Sequence, residues 1–95
     1  MAIAKLEPDE IARRLTSLTG WTVVEGKLHR EFRFADFVTA FGFMTRAALV
    51  AERMNHHPEW FNVWNTVRVD LTTHDAGGIS GNDFELAAAM DRLAA

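Results

Sequence analysis

The feature that most restricts how this chain can fold is a long apolar helical pattern over residues 36–54 that runs into Asn55-His56-His57-Pro58. Two stripes recur in it at helical spacing: Phe37, Phe41, Met44, Ala48 and Ala51, and beside them Phe43, Ala47, Val50 and Met54. The polar remainder is narrow, chiefly Thr39, Arg46 and Arg53, with Thr45 and Glu52 alongside. One stripe seats a helix on a small sheet, so a second stripe needs another covering surface. An amphipathic segment over residues 6–18 is one candidate cover and a second copy of the chain is the other; the width of the face favours the copy. Pro58 cannot donate a backbone hydrogen bond, and its ring drives His57 out of the helical region. The helix must therefore stop at a rigid junction that carries two of the four histidines. Histidine exchanges a proton near neutral pH, which makes this junction a place for proton-transfer chemistry.

The rest of the chain supplies a sheet for that helix. In residues 6–18, Pro8 sits near the start, where a missing N–H does no harm, Ile11, Leu15 and Leu18 recur at helical spacing, and Thr19-Gly20 ends the pattern. Residues 21–25 and 28–34 read as strands around Glu25-Gly26-Lys27. Leu28, Phe32 and Phe34 share one face of the second strand, and His29, Glu31 and Arg33 share the other. Residues 60–64 and 67–74 read as two more strands, with Val67, Val69 and Leu71 alternating with Arg68, Asp70 and Thr72. A glycine-rich loop over residues 75–81 follows. Ser80 then has the position of an N-cap, with Asp83 three residues on as the acidic partner of a capping box. Phe84, Ala87, Ala88 and residues 90–93 carry a last helix. The order helix, two strands, helix, two strands, helix predicts an α+β fold: a four-stranded antiparallel sheet with helices packed mainly on one face.

Composition narrows the function. A chain of 95 residues makes one domain, expected to span residues 1–95, and buries roughly 60–68% of its unfolded surface. Ten basic and thirteen acidic side chains give a net charge of -3. With no Lys/Arg run, direct nucleic-acid binding is not expected. The absence of cysteine excludes disulfides and thiolate-bound metals and fits a reducing compartment. Residues 1–6 hold a single lysine and no long apolar run, so neither a signal peptide nor a membrane span is expected, and the expected location is the cytoplasm.

The histidines converge if the second hairpin closes as its sequence suggests. With Asn65-Thr66 as the turn, His57 faces His74; a slip of one residue would pair Val63 with Val69 rather than Arg68, and alternation does not choose between them. Either register returns His74 to within about one residue of the His56-His57 corner, at the roughly 4.8 Å strand spacing. Glu52 lies one helical turn before His56. Taken singly, each residue has a plain structural use: His56 at a helix C-terminus, His57 before proline, His74 at a strand end, Glu52 as a solvated charge, Asp83 as a cap. Together at one hairpin mouth they point to a site. Three histidines and a carboxylate also suit a metal, but adjacent ligands diverge and no His-x-His or His-x-x-x-His spacing occurs, so metal binding is the weaker reading. Trp21, Trp60 and Trp64 are core by default, and one or two of them near the histidines could wall a pocket for a flat heterocycle.

The pattern Glu52-x-x-x-His56-His57-Pro58, followed by Trp64, His74 and Asp83, closely resembles that of the pterin-4a-carbinolamine dehydratases. Residues 40–46, 51–54 and 59–63 agree as well, and the likeness runs from Trp21 to the final helix. Trp64 stands where tyrosine is common in the family, and the first twenty residues match least. The resemblance implies a four-stranded antiparallel sheet with helices on it. It also implies dehydration of 4a-hydroxytetrahydropterin, the spent cofactor of aromatic amino-acid hydroxylases, to quinonoid dihydropterin, with no metal or cofactor. Carried over residue by residue, it implies that His56, His57 and His74 are acid/base and pterin-contacting groups, and that His56 to Pro58 and Thr73, His74, Asp75 and Ala76 supply the pterin-binding segments. Glu52, Trp64 and Asp83 are implied as supporting residues, Glu52 by orienting a histidine. His57 and His74 are the first choice for the chemistry. A homodimer or homotetramer is expected, and the competing role is a protein-binding module that uses the same apolar helix face.

Overall fold

The computed structural model describes residues 3–95; Met1 and Ala2, part of the segment inspected for a signal peptide, lie outside the described residues. The chain runs α1 (Pro8–Leu15), β1 (Thr22–Val24), β2 (Lys27–Arg33), α2 (Phe37–Met54), β3 (Glu59–Val63), β4 (Thr66–Leu71), a single 3₁₀ turn (His74–Ala76) and α3 (Gly81–Ala94). The sheet has the order β1-β2-β4-β3, and every pairing is antiparallel. β4 is inserted between β2 and β3, so α2 crosses from a central strand to the far edge. That crossing brings the end of α2 beside the end of β4.

Alternation decides which face is buried. Leu28 and Phe32 of β2 and Val67, Val69 and Leu71 of β4 turn inward, where they meet Ala40, Phe43, Ala47 and Ala51 of α2 and Leu86, Ala87 and Met90 of α3. Small alanines on the contact side of α2 let the helix lie close to the strands. Phe43 is fully buried, its ring 4.8 Å from that of Phe32 and 5.1 Å from that of Phe34. Arg30 shares the inward face. Its guanidinium lies 4.4 Å over Phe32, and its Nη1 donates to Asp91 Oδ1 at 2.7 Å, so the charge is paired at the sheet edge. Trp21 donates its Nε1–H to the same carboxylate oxygen at 2.8 Å. Asp91 on α3 thus clamps the first hairpin to the last helix.

One sequence expectation needs correction. The second hairpin turns at Trp64-Asn65, not Asn65-Thr66: Val63 pairs with Thr66 and Glu59 with Asp70. Trp64 takes the first turn position with φ 48, in the left-handed region that such two-residue turns require. Asn65 is drawn into the ladder, its carbonyl accepting the Phe34 N–H at 2.9 Å and its Nδ2 donating to the Phe34 carbonyl at 3.0 Å. The register therefore moves by two residues. Two is the side-chain period, so every face is preserved while every partner changes. α2 stops after Met54, as expected, and the next residue shows how. Asn55, at φ 51 and ψ 43, ends the helix in a left-handed cap ahead of the proline. The His56 N–H donates to the Ala51 carbonyl at 3.0 Å, the long backward bond of a Schellman motif.

α1 does not cover the second stripe of α2. Its own side chains Ile11 and Leu15 pack at the margin of the core, while Phe37, Val38, Phe41 and Leu49 stay exposed along α2. No helix among the described residues is long and apolar enough to cross a membrane. Replacing Phe43 with Ala should cost about 3–5 kcal/mol, read from urea unfolding midpoints, because the cavity opens under three packed elements that cannot collapse into it. A loss below about 1 kcal/mol would show that this core is not the fold's centre.

Candidate active site

The left-handed turn at Asn55 separates the two adjacent histidines. His56 goes inward and is 8% exposed; His57 goes outward, with a 59% exposed side chain. His56 Nε2 lies 2.6 Å from Asp83 Oδ1, and Asp83 is fully buried. Asp83 occupies the first turn of α3, where its Oδ2 accepts the Ser80 N–H at 2.9 Å as one half of a capping box. The same Oδ2 accepts the Thr73 hydroxyl at 2.8 Å, and Thr73 Oγ1 lies 2.6 Å from Ser80 Oγ. A buried carboxylate is tolerable only when paired and saturated with donors, and this one has a backbone N–H, a hydroxyl and an imidazole. Asp83 is therefore both cap and histidine partner, through different oxygens.

The other two histidines have looser partners. His57 Nε2 lies 2.8 Å from Glu52 Oε1. Glu52 thus reaches past His56, the residue one turn away, to the next one, because the cap has rotated His56 into the core. His74, at the start of the 3₁₀ turn, is 81% exposed, and its Nε2 lies 3.2 Å from Glu59 Oε2. Glu59 Oε1 accepts from Lys27 Nζ at 2.5 Å. The Lys27 ammonium holds the Glu59 carboxyl below the usual carboxylate range, His74 adding to the effect, and the carboxylate in turn raises the Lys27 ammonium. Each of the three imidazoles thus has Nε2 beside a carboxylate.

A cleft of about 240 Å³ lies between these groups, lined by Ile3, Asn55, His56, His57, Thr72, Thr73, His74 and Asp75. Continuing the observed register past Glu59 and Asp70 sets His57 level with Thr72, not with His74. The 3₁₀ turn after β4 nevertheless returns His74 to the same hollow. Pro58 and Ala76 flank the lining without entering it. Trp64 stands at the hairpin tip, seven residues along the chain from His57 and so on the order of 23 Å away. No tryptophan lines the cleft: Trp21 is core, Trp60 is half-buried on the sheet, and Trp64 is exposed. His29 pairs with Asp70 across the sheet, Nδ1 to Oδ1 at 2.9 Å, and lies outside the cleft. Two larger hollows exist, about 380 Å³ between α2 and α3 and about 420 Å³ between α1 and α3, and neither holds a histidine. Chemistry rather than size selects the site. Among the described residues, no three of His, Cys, Asp and Glu gather in a metal-binding arrangement.

Sequence reasoning named Thr73 as part of a pterin-binding segment and Ser80 as an N-cap, but their hydroxyl contact depends on the turn that folds them together, and one participant, Glu59, escaped it. Glu59 had no signal, since its partners come from β2 and from beyond β4.

The architecture defines a small α+β protein with a histidine–carboxylate cleft at a sheet end. A sequence model of the family described as pterin 4 alpha carbinolamine dehydratase matches residues 4–93, and the chain belongs to that family. A protein of Solibacter usitatus named as a candidate pterin-4-alpha-carbinolamine dehydratase is 66% identical over 91 residues, covering 96% of each chain. A similarly named protein of Rhizobium johnstonii is 52% identical over 97 residues, covering 100% of this chain and 96% of its own. A crystal structure from Brucella melitensis, described as a transcriptional coactivator/pterin dehydratase, matches with a TM-score of 0.93 at 45% identity, over 96% of this chain and 99% of that one. The activity in these names is that of a hydro-lyase.

Asp83→Asn should destabilise the protein by about 2–4 kcal/mol in urea unfolding, because an amide NH₂ would face a donor that now meets an oxygen. A loss under about 0.5 kcal/mol would mean that the buried network tolerates a missing acceptor.

Proposed function

We propose that this chain dehydrates 4a-hydroxytetrahydropterin to quinonoid dihydropterin, with the imidazoles of the cleft moving the protons, in the recycling of a pterin cofactor. The single observation that carries this reading is the convergence of His56, His57 and His74 on one cleft, each with a carboxylate at Nε2. Loss of the 4a-hydroxyl as water needs a proton on the departing oxygen. The N5 proton must leave as the C4a=N5 double bond forms. One imidazolium and one neutral imidazole can do both near pH 7, given an unperturbed pKa of about 6.5. The three histidines divide by exposure. His56 is locked in the buried network and holds one wall in place. His57 and His74 present most of their rings to solvent, where a bound pterin can meet them. The Asn55, His56 and Thr73 N–H groups already donate to the Glu52, Ala51 and Gly78 carbonyls, so the polar edge of a pterin ring is left to the backbone of residues 57, 72, 74 and 75.

His57→Ala and His74→Ala should each cut stopped-flow dehydration of freshly made 4a-hydroxytetrahydropterin by roughly 10² to 10⁴, the usual contribution of one acid–base group. Both side chains are exposed, so unfolding midpoints should hold. Wild-type turnover in both variants would end the acid–base assignment.

The exposed side chains on α2 favour a second element of the reading: the chain self-associates through Phe37, Val38, Phe41 and Leu49. A dimer or tetramer is expected from light scattering, and Phe41→Glu with Leu49→Glu should leave a folded monomer. A wild-type monomer at micromolar concentration would refute it and leave the face open to the competing role, a different protein partner.

A further inference from the structure

Glu59 belongs to the outer face of the sheet and does not line the cleft. It is nonetheless the carboxylate nearest the ring of His74, and it is held from behind. Lys27 reaches from β2 across β4, diagonally over the intervening strand, to place Nζ 2.5 Å from Glu59 Oε1, while Glu59 Oε2 faces His74 Nε2 at 3.2 Å. In the same cross-strand row, His29 and Asp70 form their own pair beside Glu59.

We propose that Glu59, anchored by Lys27, is a positioning residue for His74, orienting its imidazole and setting the charge it feels; this rests on the acid–base role of His74 proposed above. The reasoning is geometric. His74 sits on a short turn and is the most exposed histidine of the cleft. Among the described residues, no side chain of its own turn pairs with its ring, which meets Glu59 instead. A carboxylate locked by a lysine has fewer rotamers to lose than a free one, so it makes a better fixed partner for a mobile ring. The lysine also tempers it. One Glu59 oxygen is already engaged by Lys27, so His74 sees a weaker anion than it would with Lys27 absent. The titratable and charged groups of this cluster are Glu59 on β3 against His74, Lys27 on β2 against Glu59, Asp70 on β4 and Glu25 in the first hairpin near Lys27, and Asp75 and His57 in the cleft lining. His56 and Glu52, by contrast, work through pairs that do not involve these strands.

The sign of each change follows. A nearby anion favours the imidazolium, and a nearby cation opposes it. Whichever limb of the pH–rate profile His74 controls, Glu59→Gln should move that limb to lower pH, and Lys27→Met should move it to higher pH. Each shift should be about 0.3 to 0.7 of a pH unit, the size expected of one charge at this distance in a water-exposed setting. High salt should shrink both. The test is the pH profile of kcat for dehydration of 4a-hydroxytetrahydropterin by the full chain, in wild type, Glu59→Gln, Lys27→Met, His74→Ala and the double variant Glu59→Gln/His74→Ala. Opposite shifts, and loss of the Glu59→Gln effect in the His74→Ala background, support the proposal. Unmoved limbs, shifts of the same sign, or a Glu59→Gln effect that persists without His74 would overturn it. Wild-type turnover by His74→Ala would instead remove the parent reading, and this one with it.

Discussion

Everything at the working end of this molecule depends on one buried carboxylate. Asp83 is fully enclosed, yet it meets the ends of three elements: it caps α3 through the Ser80 N–H, receives the Thr73 hydroxyl from the chain leaving β4, and holds His56 at the exit of α2. The cost of burying a charge is offset only while all of these donors stay in place. The same requirement that stabilises the network therefore locates the cleft wall. Ser80 and Thr73 touch each other as well, so the loop that holds Gly77 and Gly78 is pinned at both ends. Stability and site geometry are one problem here.

Around that anchor the three histidines form a gradient. His56 is rigid and buried, His57 leans on a solvated glutamate of the preceding helix, and His74 rests on a glutamate that a lysine two strands away holds still. Exposed ion pairs contribute little to stability because water screens them. On the function proposed above, their value lies in orientation. A small chain has no spare core in which to bury three imidazoles, and it fixes two of them instead with surface carboxylates supplied by neighbouring elements.

The α2 helix shows how packing and association compete for one sequence. Ala40, Ala47, Ala51 and Phe43 are consumed by the sheet and α3, while Phe37, Val38, Phe41 and Leu49 remain outside. The two apolar stripes in the sequence overestimated neither need. They simply could not reveal which stripe the monomer would use, because both satisfy the same period. Met44 and Ala51, assigned to one stripe, differ in the structure: Ala51 is buried and Met44 only half so.

Much of the architecture was legible in local chemistry. The alternation in β2 and β4, the Glu25-Gly26 turn with both residues at positive φ, and the Ser80–Asp83 capping box are all short-range patterns whose physics acts within a few residues. The sequence by itself also determined that the chain leaving β4 would return to the His56-His57 corner, since strand pairing brings it there, and the 3₁₀ turn then seats His74 in the cleft. Only the tertiary structure decided the partners. Whether the hairpin turned at Trp64-Asn65 depended on Asn65 joining β2 through Phe34, and which carboxylate each imidazole met depended on a left-handed cap at Asn55 and on Lys27 crossing β4 to Glu59. Those contacts join residues far apart in the chain. Their energies are set by distances that exist only after the sheet has closed, and no local pattern encodes them.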